Sequence, residues 1–165
     1  MNTRNFTLKS DTLKGQGDKR QIYNGMNCTG DNISPHLKWV DAPEGTESFA
    51  VTMYDPKAPN LSGWWHWILF NIPPDMTELP EDAGNSSKSI LPKNIVQSKT
   101  DFCTYGYGGP CPPENDPPHP YIITVYALDV TDLGLDKNAS PAMVSFNLEQ
   151  HTLQKASLLF YSKFM

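Results

Sequence analysis

The chain has 165 residues, 38% of them hydrophobic and 19% charged, with 13 Lys and Arg against 18 Asp and Glu for a formal net charge of -5. That length suits one domain over residues 1–165. The acidic balance, without a long Lys/Arg run, argues against nucleic acid as a partner. Apolar runs such as Trp67 to Phe70 fall far short of the roughly 20 residues that a membrane span needs, so no integral insertion is expected.

The N-terminal residues show no apolar core of a secretory signal, and 3 cysteines without a CxxC pair do not form a secreted disulfide framework. A cytoplasmic location with reduced thiols is therefore expected. Cys103 and Cys111 are the two close enough in sequence to bridge a loop.

With 15 Pro and 11 Gly, short elements joined by turns are favoured over a helix bundle. Weak strand signals lie at Phe6–Leu8 and Gln21–Tyr23, followed by a Gly/Asn-rich stretch that reads as loop (Asn24 to Asn32). Ser48–Tyr54 is the first clear strand, with Phe49, Val51 and Met53 on one face. His66–Ile72 is the second, in which alternation places His66, Ile68, Phe70 and Ile72 together. Tyr121–Val130 is the third, aligning Tyr121, Ile123 and Val125. Between them run two Pro/Gly-rich loops, 55–65 and 101–120, of the length that usually carries function. Ser140-Pro141 starts a helix reaching to about Gln150, and an apolar run from Ser157 to Tyr161 closes the chain. The fold class is mainly β, with helix confined to the C-terminal third.

Strand parity locates candidate chemistry. Asp55 continues the row of Phe49, Val51 and Met53; His66 opens the second strand; His119 shares parity with Tyr121 and Ile123. If the first two strands pair antiparallel through 55–65 and the third begins at the same edge, Asp55, His66, His119 and Tyr121 converge beside the two loops. The result is a polar pocket on an apolar floor. Trp64, Trp65 and Trp67 read as hydrophobic anchors, and His36 and His151 as structural or exposed.

Such a set could hold a metal as two His and one Asp, or cradle an oxyanion between imidazole and phenol donors and the N–H groups of Gly108 and Gly109. Nucleophilic catalysis is poorly supported. There is no GxSxG, and Cys111 has neither a basic neighbour nor a helix N-terminus to activate it. Walker and GxGxxG loops are absent.

Tyr54-Asp55-Pro56-Lys57-Ala58-Pro59, Trp64-Trp65-His66-Trp67, and Gly106 to Pro113 followed by His119-Pro120-Tyr121 together resemble the phosphatidylethanolamine-binding protein family, also called Raf kinase inhibitor-like proteins. The likeness is greatest to its short bacterial and archaeal branch. Gly30 to Pro35 and Ala142-Met143 extend it over nearly the whole chain.

The resemblance implies a Greek-key β-sandwich with a large antiparallel sheet, a smaller sheet and one or two short C-terminal helices. It also implies an anion pocket lined by Asp55, His66, Gly109, Pro112, His119 and Tyr121, with neither metal nor cofactor. Four of these six residues are those that strand parity brings together. Ala58–Pro59 is a candidate cis bond on the same ground. Lys57 and Pro120 depart from the Asp and Arg that many relatives carry there, which removes a fixed cation from the rim.

The function this implies is binding of a phosphate-bearing or other small anionic ligand, similar to a phospholipid headgroup, with regulation of a partner protein as a further expectation. A kinase- or protease-inhibitor-like scaffold acting through its surface, or a hydrolase or metal-dependent enzyme using Asp55, His66 and His119, are the alternatives. A homodimer is left open.

Overall fold

The computed structural model describes residues 4–165. In chain order the elements are β1 (Thr7–Lys9), β2 (Asn24–Gly25), β3 (Cys28–Thr29), β4 (Leu37–Val40), β5 (Ser48–Asp55), β6 (Trp64–Ile72), β7 (Glu78–Leu79), β8 (Val96–Gln97), β9 (His119–Leu128), α1 (Pro141–His151) and β10 (Thr152–Ser162). The strands form a five-stranded sheet in the order β10-β9-β5-β6-β8, a three-stranded sheet β1-β4-β7 and a small hairpin β2-β3. Every strand pairing is antiparallel.

The two larger sheets bury their facing rows against each other. Leu8, Leu37 and Trp39 from the small sheet meet Phe49, Val51, Met53, Ile123 and Val125 from the large one. The other face of the large sheet carries Ala50, Ile68, Phe70, Tyr126 and Leu128, covered by Val144 and Leu148 of α1. Both faces of the central strands are thus dry, which explains why β5, β6 and β9 read as near-continuous apolar runs. The helix starts as the sequence indicates. Ser140 caps it by accepting the Met143 amide at 3.2 Å, and Pro141 occupies the first turn.

Four expectations are corrected. Gln21–Tyr23 is a turn, and the Asn24–Asn32 stretch contains the β2-β3 hairpin. The row His66, Ile68, Phe70, Ile72 does not share one face: Ile68 and Phe70 pack under α1, while Ile72 lies in the sandwich core beside Phe49. Register slips between β5 and β6, one between Phe49 and Val51 and one between Met53 and Tyr54, each insert an extra β6 residue and reverse the alternation. The Ala58–Pro59 peptide is trans, as are all peptide bonds among the described residues. Finally, the thiols are not all free. Cys28 and Cys111 form a disulfide across 83 residues of chain, leaving Cys103 exposed and unpaired. Proximity in sequence misleads here because the β2-β3 hairpin folds back onto the Pro-rich loop.

The bridge closes a long loop, so Cys28→Ser is expected to lower stability by about 2–4 kcal/mol. Thiol trapping of protein purified without reductant, followed by mass spectrometry, should find label on Cys103 alone. Label on all three cysteines would contradict the pairing.

Candidate functional site

The site is built at the end of the large sheet where β5 stops, β6 starts and β9 starts. Pairing of Asp55 with Trp64 and of Tyr54 with Ile122 sets the three strand ends side by side. Between Met53–Trp67 and Tyr54–Trp65 the register slips by one, and His66 is the extra residue. Without that slip, alternation would turn His66 toward α1 with Ile68. With it, the ring lies edge-on to Tyr121 at 5.2 Å and to Phe102 at 5.3 Å.

A cavity of about 350 Å³ opens here, a volume suited to a small molecule. Asp55, His66, His119 and Tyr121 line it, Trp64, Phe102 and Pro112 add apolar wall, and Met26, Glu114 and Phe164 also contribute. The structure therefore brings five of the six expected site residues to one cavity. The sixth, Gly109, lies behind it. Of the remaining histidines, His36 pairs with Glu78 and His151 with Asp129, both away from the cavity.

The polar floor is a connected network. Asp55 accepts the Lys57 amide through Oδ1 at 2.7 Å and the His119 Nδ1–H through Oδ2 at 2.8 Å. Both side chains are only 4% exposed. His119 Nε2–H donates in turn to Asp116 Oδ2 at 2.9 Å. Burial pulls the His119 pKa down, but its hydrogen bonds to Asp55 and Asp116 outweigh that and leave it above the usual imidazole value. A carboxylate oxygen against each ring nitrogen is the geometry that suits an imidazolium.

His66 is the opposite case. Its Nδ1 faces two carbonyl oxygens, Gly108 at 2.8 Å and Gly109 at 3.1 Å, so Nδ1 carries the hydrogen. Burial without a direct carboxylate partner lowers its pKa to about 4, against the smaller opposing pull of the Gly108 carbonyl and Asp55. The neutral ring offers its Nε2 lone pair to the cavity. The expectation that both imidazoles present free donors is corrected: carboxylates take both His119 N–H groups, and His66 presents a lone pair.

The glycine amides are also committed elsewhere. Gly108 N–H donates to the His66 carbonyl oxygen at 2.9 Å, and Gly109 N–H to Asn32 Oδ1 at 2.7 Å. An oxyanion cradle made from these two groups does not exist. Gly109 instead packs backbone against backbone: a Cβ there would lie 1.9 Å from the Gln21 carbonyl oxygen. Its role is to hold the loop, and through its carbonyl the His66 ring.

Two donors in the cavity wall lack partners. The Tyr121 hydroxyl and Trp64 Nε1 are both buried without a hydrogen bond of ordinary geometry. Burial, with Asp55 nearby, pushes the Tyr121 pKa up, so the phenol keeps its hydrogen. The Cys111 amide approaches Tyr121 without satisfying it. Sequence reasoning reads Trp64 as an anchor only and misses Asp116 and Asn32. Asp116 stands three residues before His119 in the Pro-rich loop, and that spacing is its one sequence signal. Among the described residues, no group of three or more His, Cys, Asp and Glu is arranged to hold a metal ion.

The state of His66 sets a stability trend. Its folded pKa of about 4 lies below the unfolded value of 6.5, so the unfolded chain takes up the proton first as pH falls. Stability from this group is present above pH 6.5 and is lost toward pH 4, by on the order of 3 kcal/mol. Urea unfolding of wild type and His66→Gln at pH 7 and pH 4.5 should show the wild-type advantage shrinking at the lower pH. An equal gap at both values would contradict a buried neutral ring.

Comparison with known proteins places this chain in a family. The family model described as phosphatidylethanolamine-binding protein matches residues 14–163. YbhB of Escherichia coli is 50% identical over 154 residues, covering 92% of this chain and 96% of its own. A relative from Methanothermobacter thermautotrophicus is 42% identical, covering 86% and 90%. The crystal structure of Escherichia coli YbcL, described as a member of the mammalian PEBP family, superposes with a TM-score of 0.93 at 41% identity over 97% of this chain and 99% of that one. A Chlamydia trachomatis homologue gives 0.75 at 28% identity, covering 94% and 95%. With its sandwich, its strand-end pocket and these likenesses together, the chain belongs to the phosphatidylethanolamine-binding protein family.

Proposed function

We propose that this member of a family of ligand-binding proteins binds a small organic molecule through a phosphate or similar oxyanion, without catalysing a reaction on it. The observation that carries this reading is the convergence of Asp55, His66, His119 and Tyr121 on one cavity, where two of the lining residues, Tyr121 and Trp64, also keep a buried donor without a partner. A buried donor without a partner is costly, and an acceptor supplied by a ligand removes the cost. His119 adds a charged donor where one of its two carboxylates gives way to the ligand, and the lone pair of His66 Nε2 suits a ligand that also brings an O–H or N–H. Apolar wall from Phe102, Pro112 and Trp64 accommodates an alkyl portion.

The hydrolase reading draws no support from this geometry. His119 spends both nitrogens on carboxylates, and among the described residues neither His119 nor His66 is hydrogen-bonded to a Ser or Cys that it could activate. The cytoplasmic location expected from the sequence loses one of its supports, because a Cys28–Cys111 bridge persists where thiols are oxidised. No helix is long and apolar enough to cross a membrane among the described residues.

Methyl phosphate is the probe of choice. Its second ionisation lies near pH 6, so at pH 6 much of it is a monoanion carrying an O–H for His66, and at pH 8 it is a dianion facing Asp55, Asp116 and Glu114. His119 loses its proton as pH rises through a pKa above 6.5. Both effects have one sign, and calorimetric affinity should fall from pH 6 to pH 8. Tyr121→Phe and His119→Gln should each weaken binding by about 1.5–3 kcal/mol, the range for hydrogen bonds to charged groups, whereas His36→Ala should not. Affinity that is flat with pH, or equally sensitive to His36→Ala, would refute the assignment.

A further inference from the structure

His119 has two ring donors, and the protein consumes both. Asp55, buried with it, takes Nδ1–H at 2.8 Å, and this one carboxylate already balances the imidazolium charge. Asp116 takes Nε2–H at 2.9 Å, placing a second carboxylate on a single positive charge. The two are unlike in setting. The Asp55 side chain is 4% exposed and is also tied to the Lys57 amide, while that of Asp116 is 40% exposed. Asp116 sits on a turn closed by its amide donating to the Pro113 carbonyl at 3.0 Å, between Pro112-Pro113 and Pro117-Pro118. Pro112 and Pro113 are themselves cavity wall.

From this arrangement, and resting on the oxyanion reading above, we infer that Asp116 is a built-in competitor for the ligand: its carboxylate holds the His119 Nε2–H donor in the empty protein and is displaced by a ligand oxygen. Half-exposed ion pairs gain little net energy, because water solvates the separated carboxylate nearly as well. Release of Asp116 is therefore cheap, in contrast to release of Asp55. The exchange replaces one carboxylate oxygen by one phosphate oxygen on the same donor, so charge on His119 stays balanced throughout. A ligand without an anionic oxygen cannot make the exchange, and the pair excludes it from this donor. Asp116 is on this account a specificity-determining residue that lowers affinity for every ligand and sets anions apart from neutral molecules of the same shape.

The apparent affinity of a site blocked by an internal group falls by the fraction of time it is open, so a pair open about a tenth of the time masks affinity about tenfold. Calorimetry at pH 7 with methyl phosphate, and with trimethyl phosphate as its uncharged counterpart, tests this on wild type, Asp116→Ala, Asp116→Asn and Glu114→Gln. Glu114 is the control because it lines the same cavity and is not an ion-pair partner of His119. Asp116→Ala should raise methyl phosphate affinity about tenfold, with Asp116→Asn changing in the same direction and trimethyl phosphate, shut out of this donor in wild type, gaining binding as well. Glu114→Gln should change it by under about threefold, as a screened charge at the mouth would. Wild-type binding that His119→Gln weakens but Asp116→Ala leaves unchanged or reduces would overturn the competitor role alone. So would an equal gain in Glu114→Gln, which would mark a general charge effect. Absence of methyl phosphate binding in wild type and in both Asp116 variants would overturn this inference and the oxyanion reading together.

Discussion

The buried contact between Asp55 and His119 is the constraint from which the rest of the site follows. Asp55 and His119, each 4% exposed, face each other across 2.8 Å at the end of the large sheet. Desolvating both is costly, and such pairs seldom add net stability over apolar residues of the same size. The pair forms only when the end of β5 and the start of β9 lie in one register, and breaking that register would leave an uncompensated buried charge. Fixing those two strand ends also fixes where β6 must begin, and with it His66 and Trp64. The pair leaves the site with one imidazolium and no Lys or Arg in the cavity wall, so recognition depends on hydrogen-bond donors more than on net charge.

A second constraint comes from the Pro-rich loop, whose backbone groups are turned inward. Gly108 and Gly109 use their amides to dock the loop and their carbonyls to fix the tautomer of His66. Asn32 donates to the Tyr107 carbonyl at 3.2 Å while accepting from Gly109, and Tyr23 N–H reaches the Pro110 carbonyl at 3.0 Å. The Cys28–Cys111 bridge ties the same loop to the β2-β3 hairpin, whose turn carries Met26 at the cavity. A wall pinned at so many points is preorganised, which reduces the ordering cost on binding. Asp116 lies just beyond the last pinned position, where the loop returns toward His119.

Much of this was legible in the sequence because it depends on local pattern. Alternating apolar residues identify β5 and β9, and the parity of Asp55, His119 and Tyr121 carries them to one strand edge. Ser140-Pro141 marks the start of α1 by cap chemistry alone. The unreadable parts depend on contacts between distant segments. His66 reaches the cavity through a register slip that strict alternation cannot show, so the same parity argument misplaced Ile68 and Phe70. The Cys28–Cys111 bridge spans 83 residues, and the polar start of β10, Thr152 to Lys155, becomes strand only because β9 offers it an edge. Whether a glycine amide faces a ligand or its own protein is likewise a matter of tertiary docking, and it decided against the cradle.

The hydrogen-bond geometry sets two histidines of one cavity in opposite protonation states, His119 with both ring nitrogens donating and His66 with a free lone pair. Nitrogen-15 NMR of imidazole-labelled protein at pH 7 reads both directly. His119 is expected with both ring nitrogens protonated and His66 neutral with its hydrogen on Nδ1, each assigned by comparison with its Gln variant. A neutral His119, or a His66 that is protonated at this pH or carries its hydrogen on Nε2, would contradict this arrangement.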